Sequence, residues 1–472
     1  MPLQNLKLFH ICLLGLFIRL LTSYWIGGGF YHPDAHWQYF EPAFFHTNGF
    51  GALPWEFDPK FGVGARSWFF PGIIYGFLHV FKWIHLNDPM IQVFIFRTLL
   101  SLSSVLGIYC IYEITKILAN ESAAKIAALY AALWGFFVYF NIQFHGEMMA
   151  IPWMLLAHLH VLKASQKKYA FLSGLALGLV FLFKFHVAAF GFSLLGYLLL
   201  KRRWLGGFLF CLGVAIMLFV QGMIDTFTWG EFFSTFFNYT KAVTSDHLSK
   251  KPFTAYFEYL VKILSPILLP AILFYLYYAA KKINLIWASI FVYFVIHSFV
   301  NLKALRYISP IVPFFFILVA LGVDRFQASG TFQPKYKKLI LKFSIILFIV
   351  AGSIQYLAPF VPNVLKPTRP PWLKRTDLAQ ATYFVGKQKE STGVLYVNHD
   401  PIGYFYLNKN IPIGTAGHDA PTIQKHLQDP KYNFMIFELH EPLKQELLPT
   451  LNQSWDFQHK VGDYEIYRKR TE

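Results

Sequence analysis

Residues 31–58 read YHPDAHWQYFEPAFFHTNGFGALPWEFD and carry four carboxylates, Asp34, Glu41, Glu56 and Asp58, beside His32, His36 and His46. Acids are scarce elsewhere in the first half of the chain. A carboxylate beside an apolar surface is desolvated, and its pKa rises into the range of a general base. Asp34 is therefore the candidate to take a proton from an acceptor hydroxyl. Pro33 and Asp34 follow Gly27–Gly29, which predicts the end of one helix and the start of another, with Asp34 at the N-cap of the second. Glu41 lies seven residues on, two helical turns along the same face. Its chemical reading competes with a plain solvated face. Trp37, Phe40, Phe44 and Phe45 recur at three- to four-residue spacing, which predicts an amphipathic helix lying in a membrane interface. Arg66 precedes an apolar run; it suits bidentate phosphate binding and equally suits snorkelling to headgroups.

The elements that must position these residues follow from composition. The chain has 472 residues, 56% hydrophobic, 19% aromatic and 14% charged. Soluble domains average about 25% charged residues, so the expected class is an α-helical polytopic membrane protein. Apolar stretches long enough to span lie near 8–27, 91–118, 124–141, 147–163, 169–183, 185–200, 204–223, 258–278, 284–300, 306–323 and 339–358. That makes about eleven spans, with 69–84 as a short, partly inserted helix. The first stretch lacks a small-residue cleavage site and is read as a retained span.

Net charge is +17, and the excess gathers in KASQKK (163–168), KRR (201–203), AAKK (279–282) and QPKYKK (333–338). These are positive-inside signals. No RNA-binding pattern accompanies them, so no nucleic-acid partner is expected. Cys12, Cys110 and Cys211 lie in apolar runs and form no disulfide or zinc spacing. The resulting topology places loops 28–68 and 224–257, and everything after about 359, outside. Residues 1–358 form the predicted transmembrane domain and 359–472 a small extracytoplasmic α/β domain. KPTRPP (366–371) reads as the linker. Beyond it VLYVN (394–398) and FMIFEL (434–439) read as buried strands, 419–428 and 441–451 as helices, and 455–469 as a hairpin turning at Gly462–Asp463.

Ionisable residues at membrane depth are functional candidates. His145 and Glu147, in QFHGEMM (143–149), stand at the external end of a predicted span, and Lys184 and His186 interrupt another. A packed Glu and a snorkelling Lys are the competing readings. There is no Asp-x-Asp pair, no G-x-G-x-x-G after a strand, no P-loop and no H-E-x-x-H. A soluble activated cofactor thus has no cradle, which suggests a donor arriving through the membrane.

HPDAHWQYFEPA (32–43) and LPWEFDPKFGVGARSWFFPG (53–72) resemble the first-loop signature of the lipid-phosphate-mannose-dependent α-mannosyltransferases of glycosyltransferase family twenty-two, which have the GT-C fold. DTFTWGEFFSTFFNY (225–239) is similar to the family's second external loop, HSFVNLKALRYISPIVP (297–313) to a later segment, and 394–407 to its C-terminal lumenal domain. The usual Asp-Glu pair is Asp34–Ala35 here, and the usual His-Lys-Glu is Leu302–Lys303–Ala304. Two carboxylates are thus missing, which bears on the acceptor more than on the reaction.

The resemblance implies an inverting transfer of a hexose, mannose, from a polyprenyl- or dolichyl-phosphate sugar to a glycan or glycolipid acceptor. Asp34 would be the catalytic base. His32, Glu41, Glu56, Arg66, His145, Glu147, Asp225, Lys303 and Arg306 would form the substrate-binding set, with Lys303 and Arg306 holding the phosphate and Asp225 and Asn238 shaping the acceptor groove. No cofactor is implied, and a divalent metal is left open. The expected location is a bilayer with the active site on its extracytoplasmic face, a bacterial inner membrane by preference and the endoplasmic reticulum for a eukaryotic source. A non-enzymatic lipid or sugar transporter, or a GT-C enzyme for another sugar, are the alternatives. The absence of a detectable internal repeat argues against the transporter.

Overall fold

The computed structural model describes residues 6–30, 32–58, 64–244, 251–300, 302–357, 371–439 and 441–470. The expected linker lies outside the described residues except at Pro371. The chain groups into two compact units. One comprises Met1–Thr22, Gly62–Phe70 and Arg97–Val361, the other Ser23–Phe61, Pro71–Phe96 and Pro362–Glu472.

The first unit is helical. Among the described residues, Leu8–Ile26, Pro89–Leu118, Trp204–Trp229 and Leu305–Ala328 are long and apolar enough to cross a membrane. Two bent pairs would raise this count of four to six: Glu121–Leu133 with Gly135–Asn141 (63°) and Ala255–Leu264 with Leu269–Ala280 (104°). Gly146–Leu162, Phe185–Leu200 and Leu285–Ser298 are apolar but shorter. With the bent pairs and the three shorter helices the count among the described residues is nine; the expected eleven would also need Lys167–Phe183 and Pro334–Leu357 to span. The expected short segment is one continuous helix, Phe69–Trp83, of 15 residues. All four basic clusters fall at or between helix ends, where a lysine or arginine can reach water.

The breaks have identifiable supports. Trp134 adopts an extended conformation and ends the helix before it. The last carbonyls of a helix lack intrahelical partners. Here the wholly buried Arg19 supplies them: its guanidinium donates to Ala131 O at 2.9 Å and Ala132 O at 3.3 Å. Elsewhere small residues let backbones touch. A Cβ on Gly174 would fall 2.0 Å from Phe210 O, and one on Gly213 would fall 2.5 Å from Phe171 O. The helices Lys167–Phe183 and Trp204–Trp229 therefore pack at glycine contact, the small-residue mode of membrane helices.

The second unit contains a five-stranded sheet in the order β2-β1-β3-β5-β4. Its strands are Val394–Val397 (β1), Ile413–Ala416 (β2), Phe434–Glu438 (β3), Trp455–Val461 (β4) and Tyr464–Lys469 (β5). β1 pairs parallel with β2 and β3, while β5 pairs antiparallel with β3 and β4. All four residues of β1 are buried, as in strands covered on both faces. Leu395, Val397, Met435 and Phe437 meet Ile423, Leu427, Leu447 and Leu451 from the helices Ala420–Gln428 and Glu441–Ser454. The helix Pro371–Lys387 packs on β3, β4 and β5, and its Thr382 hydroxyl pairs with Tyr396 Oη at 2.9 Å. Asp419 caps its helix by accepting from Thr422 N at 2.9 Å. The hairpin turns at Gly462, with φ +54°.

Two outcomes test these contacts. Alanine favours a helix over glycine by about 1 kcal/mol, and Gly196 has nothing within 4 Å of an added Cβ. Gly196→Ala should raise the thermal midpoint in detergent, whereas Gly174→Ala should lower it by about 1–3 kcal/mol of overpacking. Separately, burial pushes the Glu465 carboxyl up, but the Tyr467 hydroxyl and the Lys444 ammonium outweigh it, so the net shift is down from 4.5. A carboxylate with a depressed folded pKa stabilises above its unfolded value and loses that contribution as pH falls through its folded one. Amide exchange in β3 and β5 should therefore quicken below about pH 4.5 relative to Glu465→Gln at the same pH.

Candidate functional site

The second unit holds Asp34, His32, Glu41 and Glu56. The helix begins at Asp34 itself, so the aspartate occupies the first helical position and not the N-cap before it. Its side chain is 27% exposed and stands 3.2 Å from His32 Nδ1. His36–Phe40 is a π-helical turn, closed by Glu41 N–H donating to His36 O. The wider turn brings residues five apart onto one side, and His36 Nε2 meets Glu41 Oε1 at 2.8 Å. The same oxygen accepts from Phe405 N–H at 2.7 Å. Glu41 is wholly buried, which removes the solvated-face reading. Gln38 Nε2 donates to the buried Glu56 at 3.0 Å. Half of the aromatic stripe expected to lie in an interface is buried in protein: Phe40 and Phe44 lie against Phe405, at ring separations of 4.9 and 5.9 Å, while Trp37 and Phe45 are half-buried. The apolar partner that sequence spacing assigned to lipid comes from residues far along the chain.

The first unit holds Arg66, His145, Glu147, Asp225, Lys303 and Arg306. His145 is the extended N-cap of Gly146–Leu162, and Glu147 falls in that helix's first turn, where the helix dipole favours an anion. The helix Lys167–Phe183 stops at Lys184, which is extended, before a 3-10 turn over Phe185–Ala189. That break aims Lys184 and His186 at Glu147, with Nζ at 3.5 Å and Nε2 at 3.8 Å from Oε1. Arg306 Nε, in the first turn of Leu305–Ile308, is 3.9 Å from the same oxygen. A wholly buried carboxylate is thus surrounded by three nitrogen bases. The ring of His186 lies 5.2 Å from that of His297 and 5.1 Å from that of Tyr307. His297 Nδ1 is 2.8 Å from Tyr293 O, so Nδ1 carries the proton and Nε2 is left as an acceptor in the neutral ring.

The other predicted residues of this unit have partners of their own. The Arg66 guanidinium stacks 4.5 Å from the Tyr239 ring centroid, and Arg66 O accepts from Trp229 Nε1–H at 3.2 Å. Burial pushes the Tyr239 phenol up to about 12 against the pull of Arg66, so it remains a donor at neutral pH. Asn238 reaches Gly64 O at 3.4 Å. Lys303 Nζ donates to Val300 O at 2.7 Å and Lys251 O at 3.2 Å, and burial lowers its pKa. Asp225 serves a corner: Oδ2 accepts from the Thr235 hydroxyl at 2.7 Å and from Thr235 N–H at 3.2 Å, while Oδ1 accepts from Gln221 at 2.8 Å. Among the described residues no three His, Cys, Asp or Glu side chains group as metal ligands.

Sequence reasoning singled out Lys184 and His186 but missed His297, Tyr239, Arg19 and Arg97. Arg97 is wholly buried, with its guanidinium 5.9 Å from the centroid of Phe144 in the segment that carries His145. An arginine inside an apolar run, as in LFIRLL (16–21) or FIFRTL (94–99), was the available signal.

The fold defines a helical multi-pass membrane protein. It is similar to ArnT from Cupriavidus metallidurans in the apo state (TM-score 0.60, 15% identity, 96% of this chain and 97% of that one). It is also similar to ArnT bound to undecaprenyl phosphate (TM-score 0.55, 14% identity, 96% and 97%). A third likeness is to the archaeal oligosaccharyltransferase AglB from Archaeoglobus fulgidus, in complex with an inhibitory peptide and a dolichol-phosphate (TM-score 0.51, 11% identity, 98% and 74%). Residues 10–371 match the Alg9-like mannosyltransferase family, and the chain belongs to that family. A stretch of 104 residues is 32% identical to GPI mannosyltransferase 3 of Drosophila melanogaster; it covers 22% of this chain and 18% of that relative.

Glu147 is a carboxylate that the structure places beside Lys184 and Arg306, both buried. Glu147→Ala should destabilise the protein by about 3–5 kcal/mol, read as a drop in thermal midpoint in detergent. A variant that melts with the parent would show that these charges are solvated.

Proposed function

We propose that this chain is an inverting membrane glycosyltransferase that moves a hexose, mannose, from a polyprenyl- or dolichyl-phosphate carrier to a glycan or glycolipid acceptor. The observation that carries the reading is family membership over residues 10–371, joined to a part-exposed Asp34 paired with His32. The ArnT structure bound to undecaprenyl phosphate supports a polyprenyl-phosphate donor. Asp34 takes the proton of the acceptor hydroxyl, while His32 Nδ1 beside it accepts from the Asp34 amide N–H at 3.3 Å. The acceptor oxygen forms its bond to the sugar's anomeric carbon while the bond from that carbon to the phosphate oxygen breaks. The polyprenyl phosphate leaves with the electron pair. Its growing charge is assigned to Lys303 and Arg306, with Arg66 in support. His145 and Glu147 belong to the binding set through the cations gathered around Glu147. A retaining route needs a second carboxylate as nucleophile. Glu41 and Glu56 are poor candidates, since both are buried and hydrogen-bonded to protein.

In this reading about eleven spans cross the bilayer. Loops 28–68 and 224–257 and the domain 359–472 face the extracytoplasmic side of a bacterial inner membrane, or of the endoplasmic reticulum for a eukaryotic source. The basic clusters at helix ends support this orientation.

Purified protein given a polyprenyl-phosphate mannose and candidate acceptors should yield a product of inverted anomeric configuration by NMR. Asp34→Asn should lower turnover by about 10²–10⁴-fold. Full activity in a folded Asp34→Asn protein would remove the base assignment, and retention of configuration would remove the inverting one.

A further inference from the structure

The C-terminal segment enters the same compact unit as the helix that carries Asp34. The contact between them is built around one atom. Glu41 Oε1 accepts from both His36 Nε2 and Phe405 N–H, at 2.8 and 2.7 Å. The approach depends on Gly403. Its φ is +94°, and a Cβ there would fall 2.3 Å from Glu41 Oε1 and 2.9 Å from His36 Nε2. Around this point the His36 ring stacks on Tyr406 at 5.6 Å, and Tyr406 Oη donates to Gly28 O at 2.7 Å. Asn408 donates to Asn87 O at 3.1 Å, and Lys387 pairs with Asp88 at 3.1 Å. The turn Gly403–Tyr406 is thus inserted against both ends of the segment Gly28–Glu41, in whose middle Asp34 begins the helix.

The helix it grips carries a π turn. Such turns are rare and are kept where surrounding contacts hold them. Here the contact is the pairing of His36 with Glu41, five residues apart, which the π turn brings together and Phe405 locks. We infer that Glu41, Gly403 and the Phe405 amide form a latch through which the C-terminal α/β segment fixes the Asp34 helix in its working geometry. Glu41 is then a positioning residue and makes no substrate contact. The inference rests on the proposed role of Asp34.

The test compares Glu41→Ala, Glu41→Gln and Gly403→Ala with Asp34→Asn in the full chain. It uses polyprenyl-phosphate mannose turnover and hydrogen exchange. Glu41→Ala and Gly403→Ala should each lower kcat by about 10–100-fold, the scale of a misplaced catalytic group, with KM for the donor unchanged. Both should speed exchange at the amides of Ala35–Asn48 while those of Val394–Val397 and Phe434–Glu438 stay protected. In Glu41→Gln the side-chain amide oxygen can still accept both hydrogen bonds, so this variant should recover activity to within about threefold. If Glu41→Gln fails as badly as Glu41→Ala, the charge contacts something else and the latch is overturned. It is equally overturned if Ala35–Asn48 stay protected in both disrupting variants, or if kcat is kept while Asp34→Asn abolishes turnover. Should Glu41→Ala expose the sheet strands as well, Gly403→Ala, which leaves every side chain of the latch in place, decides by the same readouts. If Asp34→Asn keeps turnover, the base assignment fails, and the exchange data alone judge the latch.

Discussion

A polar group in an apolar interior must find its partner within the protein. In the first unit that constraint governs where helices break and what the breaks contain. The end of Glu121–Leu133 leaves carbonyls that water would otherwise satisfy, and Arg19 reaches across from another helix to take them. In the middle of the same unit His158 Nε2 meets Ser289 Oγ at 2.9 Å and Ser289 meets Ser193 at 2.8 Å. Each of these three side chains meets a polar neighbour from another helix.

The cluster on Glu147 extends the principle to charge. An isolated buried carboxylate would be costly. Three features offset that cost: the N-terminal turn of its own helix, the interruption at Lys184 that turns two basic side chains toward it, and Arg306 at the start of Leu305–Ile308. Every one of these features is a place where regular helix stops or starts. Irregular backbone is expensive in an apolar interior, and here it is concentrated around ionisable side chains. Asp225 shows the complementary case, in which an ionisable residue is consumed by closing a corner with Thr235 and Gln221.

In the second unit the balance differs. The sheet and its helices form an ordinary α/β core, with β1, β3 and β5 largely buried and β4 mostly exposed at the edge. Against this core, the first loop is held by aromatic packing, by the shared Glu41 Oε1 and by Tyr406 donating to Gly28 O. The loop residues that look reactive in sequence therefore divide. Asp34 and His32 remain partly open to solvent, while Glu41 and Glu56 are spent on protein contacts.

Much of this was legible in the chain alone. Low charge and long apolar runs dictated a membrane protein, basic clusters marked helix ends, and alternation with turn residues located β1, β3, both helices after β2 and the closing hairpin. These signals are local, because solvent preference and turn chemistry act within a few residues. The missed elements, β2 and the helices Pro371–Lys387 and Tyr404–Leu407, lack such periodicity and take their structure from what they pack on. The site divided in the same way. Residue type nominated Asp34, Glu41, Glu147 and Arg306, but type could not tell a reactive carboxylate from a structural one. Their partners are distant in sequence: Phe405, 364 residues from Glu41, and Lys184, His186 and Arg306, from two separate segments, around Glu147. Burial and hydrogen-bond geometry exist only once those segments have packed, so only the tertiary structure could assign them.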